Sequence, residues 1–206
     1  MDRMYRYQRH FYDLTRKYYL IGRDRLLREM PIDGADRVLE VGCGTGRNLI
    51  KLAGVYRGAR FYGLDASEEM LKTGRSKIAR SDIGDRITLR QSLAEDWTHE
   101  GTFGLEEPLD QIFFSYSLSM IPQWRAAIDN AFANLRSDGN LFILDFGDGQ
   151  DLPGWFKGGL TKWLDLFGVH HRPELISYLH ERRGSRKLEL TTIGRRYSYI
   201  IHAHKS

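Results

Sequence analysis

From residue 37 onward, short apolar runs alternate with amphipathic stretches. Val38-Leu39-Glu40-Val41 reads as a buried strand and Asn48 to Tyr56 as a short helix. Arg60 to Leu64 is a second strand, and Ser67 suits the N-cap of the helix opening at Met70-Leu71. Arg86 to Arg90 alternates as a third strand, and Leu109 to Ser115 forms a fourth. A helix after Pro122 runs to about Arg136, and Ser137-Asp138-Gly139 turns into a fifth buried strand, Leu141 to Leu144. Strands separated by helices predict a parallel sheet covered on both faces.

The two ends read differently. Helical stretches near 155–167 and 174–183 precede Leu188 to Thr192 and Tyr197 to Ala203, two strand-like runs joined at Ile193-Gly194-Arg195. They predict an antiparallel hairpin. At the start, Tyr5, Tyr12, Tyr19 and Leu26 recur every seven residues, flanked by Phe11, Leu14, Tyr18 and many basic residues. Drawn as a helix, this is an aromatic stripe with basic flanks. Such a stripe either packs on the sheet or seeks a membrane interface, and both readings stay open. Trp155, Phe156, Leu160, Trp163, Leu164 and Phe167, with Lys157 and Lys162 among them, pose the same choice.

The chain has 206 residues, a length that suits one domain over 1–206, with 1–30 as an N-terminal helical segment. At 41% hydrophobic and 12% aromatic it can build a core. No run approaches the ~20 apolar residues of a membrane span. The opening Met1 to Arg6 has no apolar core of a signal peptide, and a single cysteine, Cys43, excludes an internal disulfide. A cytoplasmic location is expected. The net charge of +4 conceals a division: residues 1–28 carry +5, residues 29–153 carry −7, and residues 154–206 carry +6. Two basic ends favour an anionic partner, lipid or nucleic acid.

The most informative segment is Val38 to Gly46, in which a strand runs into Gly42-Cys43-Gly44-Thr45-Gly46 and then a helix. Glycine suits positions where the backbone turns left-handed or lies against a ligand. The nicotinamide fingerprint needs a further glycine at position 47, which is Arg, and no Gly-Lys-Ser/Thr follows. Nineteen residues beyond Gly46, at the end of the second strand, Asp65 is placed to accept ribose hydroxyls. A tight turn plus an Asp capping the next helix would leave the same letters. Cys43 suits a small residue tolerated within the loop.

On these residues the chain resembles the class I S-adenosylmethionine-dependent methyltransferases over 37–146. The resemblance implies an α/β, Rossmann-like fold with a seven-stranded, mostly parallel sheet whose last strand is antiparallel. It implies S-adenosylmethionine as cofactor and S-adenosylhomocysteine as product. It places the cofactor at Glu40, Gly42, Cys43, Gly44, Gly46, Asp65, Ala66, Met70, Leu93, Ala94 and Ser115. Where the family often has an acid for the adenine amine, this chain has Leu93, so adenine falls to the backbone of Leu93 and Ala94, or to Glu95 or Asp96.

The stretch Ser115-Tyr116-Ser117-Leu118 lacks the Pro-Pro of nucleobase N-methyltransferases. Residues 5–24 are similar to the N-terminus of the bacterial betaine-lipid N-methyltransferases (BtaB-type). That resemblance implies successive methylation of diacylglyceryl-homoserine to its trimethylated betaine lipid at the inner membrane face. It also implies an upstream 3-amino-3-carboxypropyl transferase. Phosphatidylethanolamine, another small molecule or RNA as acceptor are the rivals, with a non-catalytic membrane- or nucleic-acid-binding module beyond them.

A quaternary ammonium product is stabilised by aromatic faces, for which Tyr18, Tyr19, Tyr116 and Trp124 are the candidates. The family's tyrosine near the cofactor methyl would fall at Tyr18 or Tyr19. His170 or His171 either accepts the amine proton or belongs to a polar loop before Pro173. His202 and His204 lack a third ligand, so no metal is expected. With the acidic middle assigned to a sulfonium cofactor, a lipid partner ranks above nucleic acid.

Overall fold

The computed structural model describes residues 20–154, 158–159, 172, 174–183 and 188–205. Seven strands form one sheet: β1 (Arg37–Val41), β2 (Arg60–Asp65), β3 (Ile87–Gln91), β4 (Leu109–Ser115), β5 (Leu135–Phe146), β6 (Leu188–Ile193) and β7 (Ser198–His204). Their order is β3-β2-β1-β4-β5-β7-β6. The first five run parallel, and β7 lies antiparallel between β5 and β6. This is the sheet expected from the sequence, tail hairpin included.

The helices are α1 (Arg23–Glu29), α2 (Arg47–Val55), α3 (Glu68–Ile78), α4 (His99–Phe103), α5 (Trp124–Ala133) and α6 (Leu175–Arg183). One apolar layer joins α1, α2 and α3 through Leu26, Leu27, Leu49, Leu52, Leu71 and Ile78 to Val38, Phe61 and Phe113 of the sheet. The other joins α5 and α6 through Trp124, Ile128, Leu175 and Leu179 to Leu39, Phe114 and Ile143. Strand β4 is therefore buried at all seven positions, as a strand covered on both faces must be.

Three expectations are corrected here. The fifth strand begins at Leu135, because Leu109 pairs with Leu135 before the ladder resumes at Gln111 and Asn140. The Ser137-Asp138-Gly139 turn is thus an excursion within β5, with Asp138 left-handed at φ 63° and its N–H donated to the Lys205 carbonyl. The helix α4, capped by the Thr98 hydroxyl, stands between β3 and β4 where no element was expected. The N-terminal stripe does not run unbroken through Leu26. Helix α1 starts only at Arg23, after a left-handed Gly22 (φ 95°). A Cβ at Gly22 would lie 2.7 Å from Ile193 Cδ1, so the chain crosses β6 there only as glycine. From Leu20 on, the stripe faces the core: Leu20, Leu26 and Leu27 are all buried.

Candidate functional site

The loop after β1 turns left-handed at all three glycines, Gly42, Gly44 and Gly46 (φ 76°, 54° and 68°). Gly42 is also closely approached: a Cβ there would lie 2.4 Å from Ser117 Cβ. The Ser117 hydroxyl donates to the Val41 carbonyl at 2.7 Å, so the turn after β4 packs directly on the glycine loop. From the other side, the N–H groups of Gly42 and Cys43 both donate to the Leu64 carbonyl at 2.8 Å. The loop is gripped between the carboxyl ends of β2 and β4, where open α/β sheets bind ligands.

Asp65 fills the turn-and-cap role its position allowed. One carboxylate oxygen accepts the Gly44 N–H at 2.7 Å and the other accepts the Ser67 N–H at 2.9 Å. The side chain both shapes the glycine loop and stabilises the entry to α3, whose Ser67 cap in turn accepts the Met70 N–H at 3.4 Å. Glu40 is buried at 2% exposure, and its Oε1 accepts the Asn48 side-chain amide at 2.6 Å. Burial, with the Glu40 and Asp65 charges added, pushes the Cys43 thiol well above its usual value. Cys43 is accordingly a neutral packing group.

The segment after β3 lies beside Asp65, whose carbonyl accepts the Ser92 N–H at 3.2 Å. Leu93 is 52% exposed and presents an apolar side chain. The Ala94 carbonyl accepts the Trp97 indole N–H at 2.9 Å, and the Ala66 carbonyl accepts the Gln91 amide at 3.0 Å. Half-buried Glu95 and exposed Asp96 flank the turn. At the end of β4, Ser115 Oγ is buried with no hydrogen-bond partner among the described residues. An orphaned buried hydroxyl is satisfied most simply by a bound ligand.

The aromatic expectations change. Tyr116 stands just past β4, but its ring is 3% exposed and packs 4.7 Å from Phe146. Its hydroxyl donates to the Ile21 carbonyl, and burial pushes its titration far above the phenol range. It anchors the segment before α1 and presents no open face to a head group. Trp124 is 4% exposed, between Tyr178 (5.3 Å) and the Arg125 guanidinium (4.3 Å), within the α5–α6 layer. Tyr18, Tyr19, His170 and His171 lie outside the described residues, as does the 155–167 stretch apart from 158–159.

His202 stacks on Phe142 at 4.3 Å with Nε2 2.7 Å from Asn140 Oδ1, and His204 Nδ1 lies 3.2 Å from the Gly139 carbonyl. Among the described residues no three His, Cys, Asp or Glu side chains gather as a metal site. Asn48, Ser117 and Gln91 are site residues that sequence reasoning passed over; each is a single polar letter with no motif of its own.

Residues 38–139 match the family described as "Methyltransferase domain". A ubiquinone/menaquinone biosynthesis C-methyltransferase of Syntrophotalea carbinolica is 28% identical over 140 residues, 66% of this chain and 56% of that protein. A trans-aconitate 2-methyltransferase of Delftia acidovorans is 32% identical over 118 residues, 57% of this chain and 41% of that one. The chain spans about half the length of the curated relatives it matches. A SAM-dependent methyltransferase from Aquifex aeolicus superimposes with a TM-score of 0.68 at 17% identity, over 93% of both chains. The fold is therefore that of the Rossmann-like class I methyltransferases, and the family match and the structural neighbours imply S-adenosylmethionine as cofactor. No helix among the described residues is long and apolar enough to cross a membrane.

Proposed function

We propose that this chain is an S-adenosylmethionine-dependent methyltransferase acting on the amine of a lipid head group at an anionic membrane face. The acceptor in this reading is diacylglyceryl-homoserine and the end product its trimethylated betaine lipid. One observation carries the methyl-transfer part: Asp65 and Gly44 of the glycine loop, 21 residues apart, are joined by a hydrogen bond at the carboxyl edge of the sheet. The lipid part is supported by the resemblance of residues 5–24 and by the basic ends around an acidic middle.

The residues fit the cofactor. Glu40 suits its amino group, Asp65 the ribose hydroxyls, Ser115 Oγ a polar edge, and exposed Leu93 the apolar face of the adenine. A carboxylate buried as deeply as Glu40 acts through a medium far less screening than water, which strengthens its hold on a cation. When bound, S-adenosylmethionine supplies an electrophilic methyl on a sulfonium. The site must then align an uncharged nitrogen with that methyl and release one proton.

A second reading is methylation at carbon or oxygen, favoured by relatives named for quinone C-methylation and aconitate methylation. The deciding experiment incubates the protein with labelled cofactor and separate acceptors: vesicles of diacylglyceryl-homoserine, phosphatidylethanolamine vesicles, a demethylquinone, trans-aconitate and RNA. Stepwise label in diacylglyceryl-homoserine is expected. Label confined to the quinone, the acid or RNA overturns the lipid amine. Cofactor binding with no transfer to any acceptor points to a non-catalytic module.

A further inference from the structure

The turn that packs on the glycine loop is itself held from behind by a buried acid. Asp145, next to last in β5, is 1% exposed. Its Oδ2 accepts the backbone N–H of Ser119 at 2.8 Å, and Oδ1 accepts the N–H of Phe146 at 2.8 Å. Ser119 is the middle residue of the single 3-10 turn Leu118–Met120 that follows β4. On the far side of this turn, the Arg172 guanidinium donates to the carbonyls of Ile121 at 3.2 Å and Ser119 at 3.5 Å. Ser119 is thus held by its N–H from β5 and by its carbonyl from Arg172.

The turn has little slack. The Tyr116 N–H donates to the Leu144 carbonyl at 2.7 Å, and Tyr116 adopts φ 55°, a left-handed conformation that side chains other than glycine avoid. Such a conformation persists only where its surroundings over-determine it. Two residues before Ser119, Ser117 fills the space a Gly42 side chain would take and bonds to Val41. A path therefore runs from Asp145 to Ser119, along the turn to Ser117, and from Ser117 to the glycine loop.

We propose that Asp145 is a positioning residue of the cofactor site: its carboxylate fixes the turn after β4, and that turn fixes the glycine loop. Asp145 does not act on the cofactor itself. Without its acceptor oxygen the Ser119 N–H is left buried and unsatisfied, and the turn shifts to repair that loss. Ser117 moves with it, and the Gly42–Gly46 loop loses the packing that holds it from the β4 side.

The proposal rests on the cofactor reading of the glycine loop and is independent of the acceptor. It is tested on the full chain by calorimetric titration with S-adenosylhomocysteine. Asp145→Ala is expected to weaken binding about tenfold, the size expected of one buried charge-assisted hydrogen bond partly transmitted. Asp145→Asn, which keeps an acceptor oxygen, is expected to recover most of that loss. Ser117→Ala should weaken binding too, and the double variant should lose less than the product of the two factors, because both act on one turn.

Native affinity in folded Asp145→Ala, or strictly multiplicative losses, would overturn the proposal. If the native chain itself fails to bind, the cofactor reading fails instead. Should Asp145→Ala not fold, amide exchange in Asp145→Asn decides. Faster exchange at Ser119 together with Gly42–Gly46 supports the path, and faster exchange at Ser119 alone overturns it.

Discussion

The Asp65 carboxylate accepts the backbone N–H of Gly44 at 2.7 Å, so the acid expected to hold the cofactor's ribose holds the glycine loop itself. Its second oxygen is engaged by the Ser67 N–H at 2.9 Å. Asp65→Ala therefore loosens the scaffold and, on the proposed cofactor reading, removes a ligand contact as well. Affinity for S-adenosylhomocysteine should fall by more than about tenfold, as expected when charge-assisted contacts are lost. Asp65→Asn should fall between the two, since it retains one acceptor oxygen. Calorimetry checks both; near-native affinity in Asp65→Ala would refute the ribose role.

Gly42→Ala meets two obstacles. The backbone is left-handed at φ 76°, and the new methyl would sit 2.4 Å from Ser117 Cβ. The first costs about 1–2 kcal/mol for an L-residue. The second forces the turn after β4 away from the loop. The variant should lose cofactor affinity and melt lower. Adding Ser117→Gly should restore part of the affinity by clearing the contact, while the cost of the left-handed backbone stays. Melting curves and titrations of the single and double variants separate the two causes.

Which of these features were readable beforehand follows from the range of the forces involved. Strand β4 is legible because burial on both faces leaves the apolar run Ile112-Phe113-Phe114 behind Leu109, although Asp110 and Gln111 interrupt it. The Gly42–Gly46 loop and Asp65 are legible because their chemistry restricts the residue types allowed. Helix α4 is not: it is five residues long, and besides its local Thr98 cap it depends on Asn134 Oδ1, which accepts the His99 N–H at 2.8 Å across 35 residues. Tyr116 could be placed at the sheet's carboxyl edge, but its direction is set by Phe146 and by the Ile21 carbonyl, 95 residues upstream. Asp145 reads as one polar residue at the end of an apolar strand; only its contact with Ser119 gives it a role.

Tyr116→Phe probes that anchoring. The hydroxyl donates to the Ile21 carbonyl, which also receives the Ser198 hydroxyl at 3.4 Å. Loss of one buried hydrogen bond costs about 1 kcal/mol, which lowers the melting temperature of a chain this size by roughly 2–4 °C. Because the ring is buried, cofactor affinity should stay near native. A large loss of methyl transfer at saturating cofactor, with stability unchanged, would return Tyr116 to the acceptor site.

Cys43 supplies a pH prediction. Its folded thiol titrates well above the usual value, chiefly because it is buried. As pH rises past the ordinary thiol value of about 8.5, the unfolded chain loses a proton that the folded chain keeps. The unfolded state is then favoured, so the Cys43 contribution makes stability fall with rising pH in the alkaline range. Cys43→Ser should flatten that part of the urea-midpoint profile. Iodoacetamide should label native Cys43 far more slowly than unfolded Cys43 at pH 8.5.

The membrane reading is tested by truncation, and the structure sets where the cut must fall. Leu20 is buried against the sheet, Ile21 carries the carbonyl that Tyr116 and Ser198 hold, and Leu26 is fully buried in α1. Removing these would damage the core and confuse lost attachment with lost folding. Residues 1–19 hold Arg3, Arg6, Arg9, Arg16 and Lys17 against Asp2 and Asp13, a net +3. Each basic group near an anionic bilayer contributes about 1 kcal/mol, enough for reversible attachment. A chain beginning at Leu20 should therefore fold and bind S-adenosylhomocysteine, yet fail to sediment with phosphatidylserine-containing vesicles at physiological salt. The intact chain should sediment with them and be released as salt rises. Full sedimentation of the truncated chain would move the anchor to the other basic end, residues 154–206.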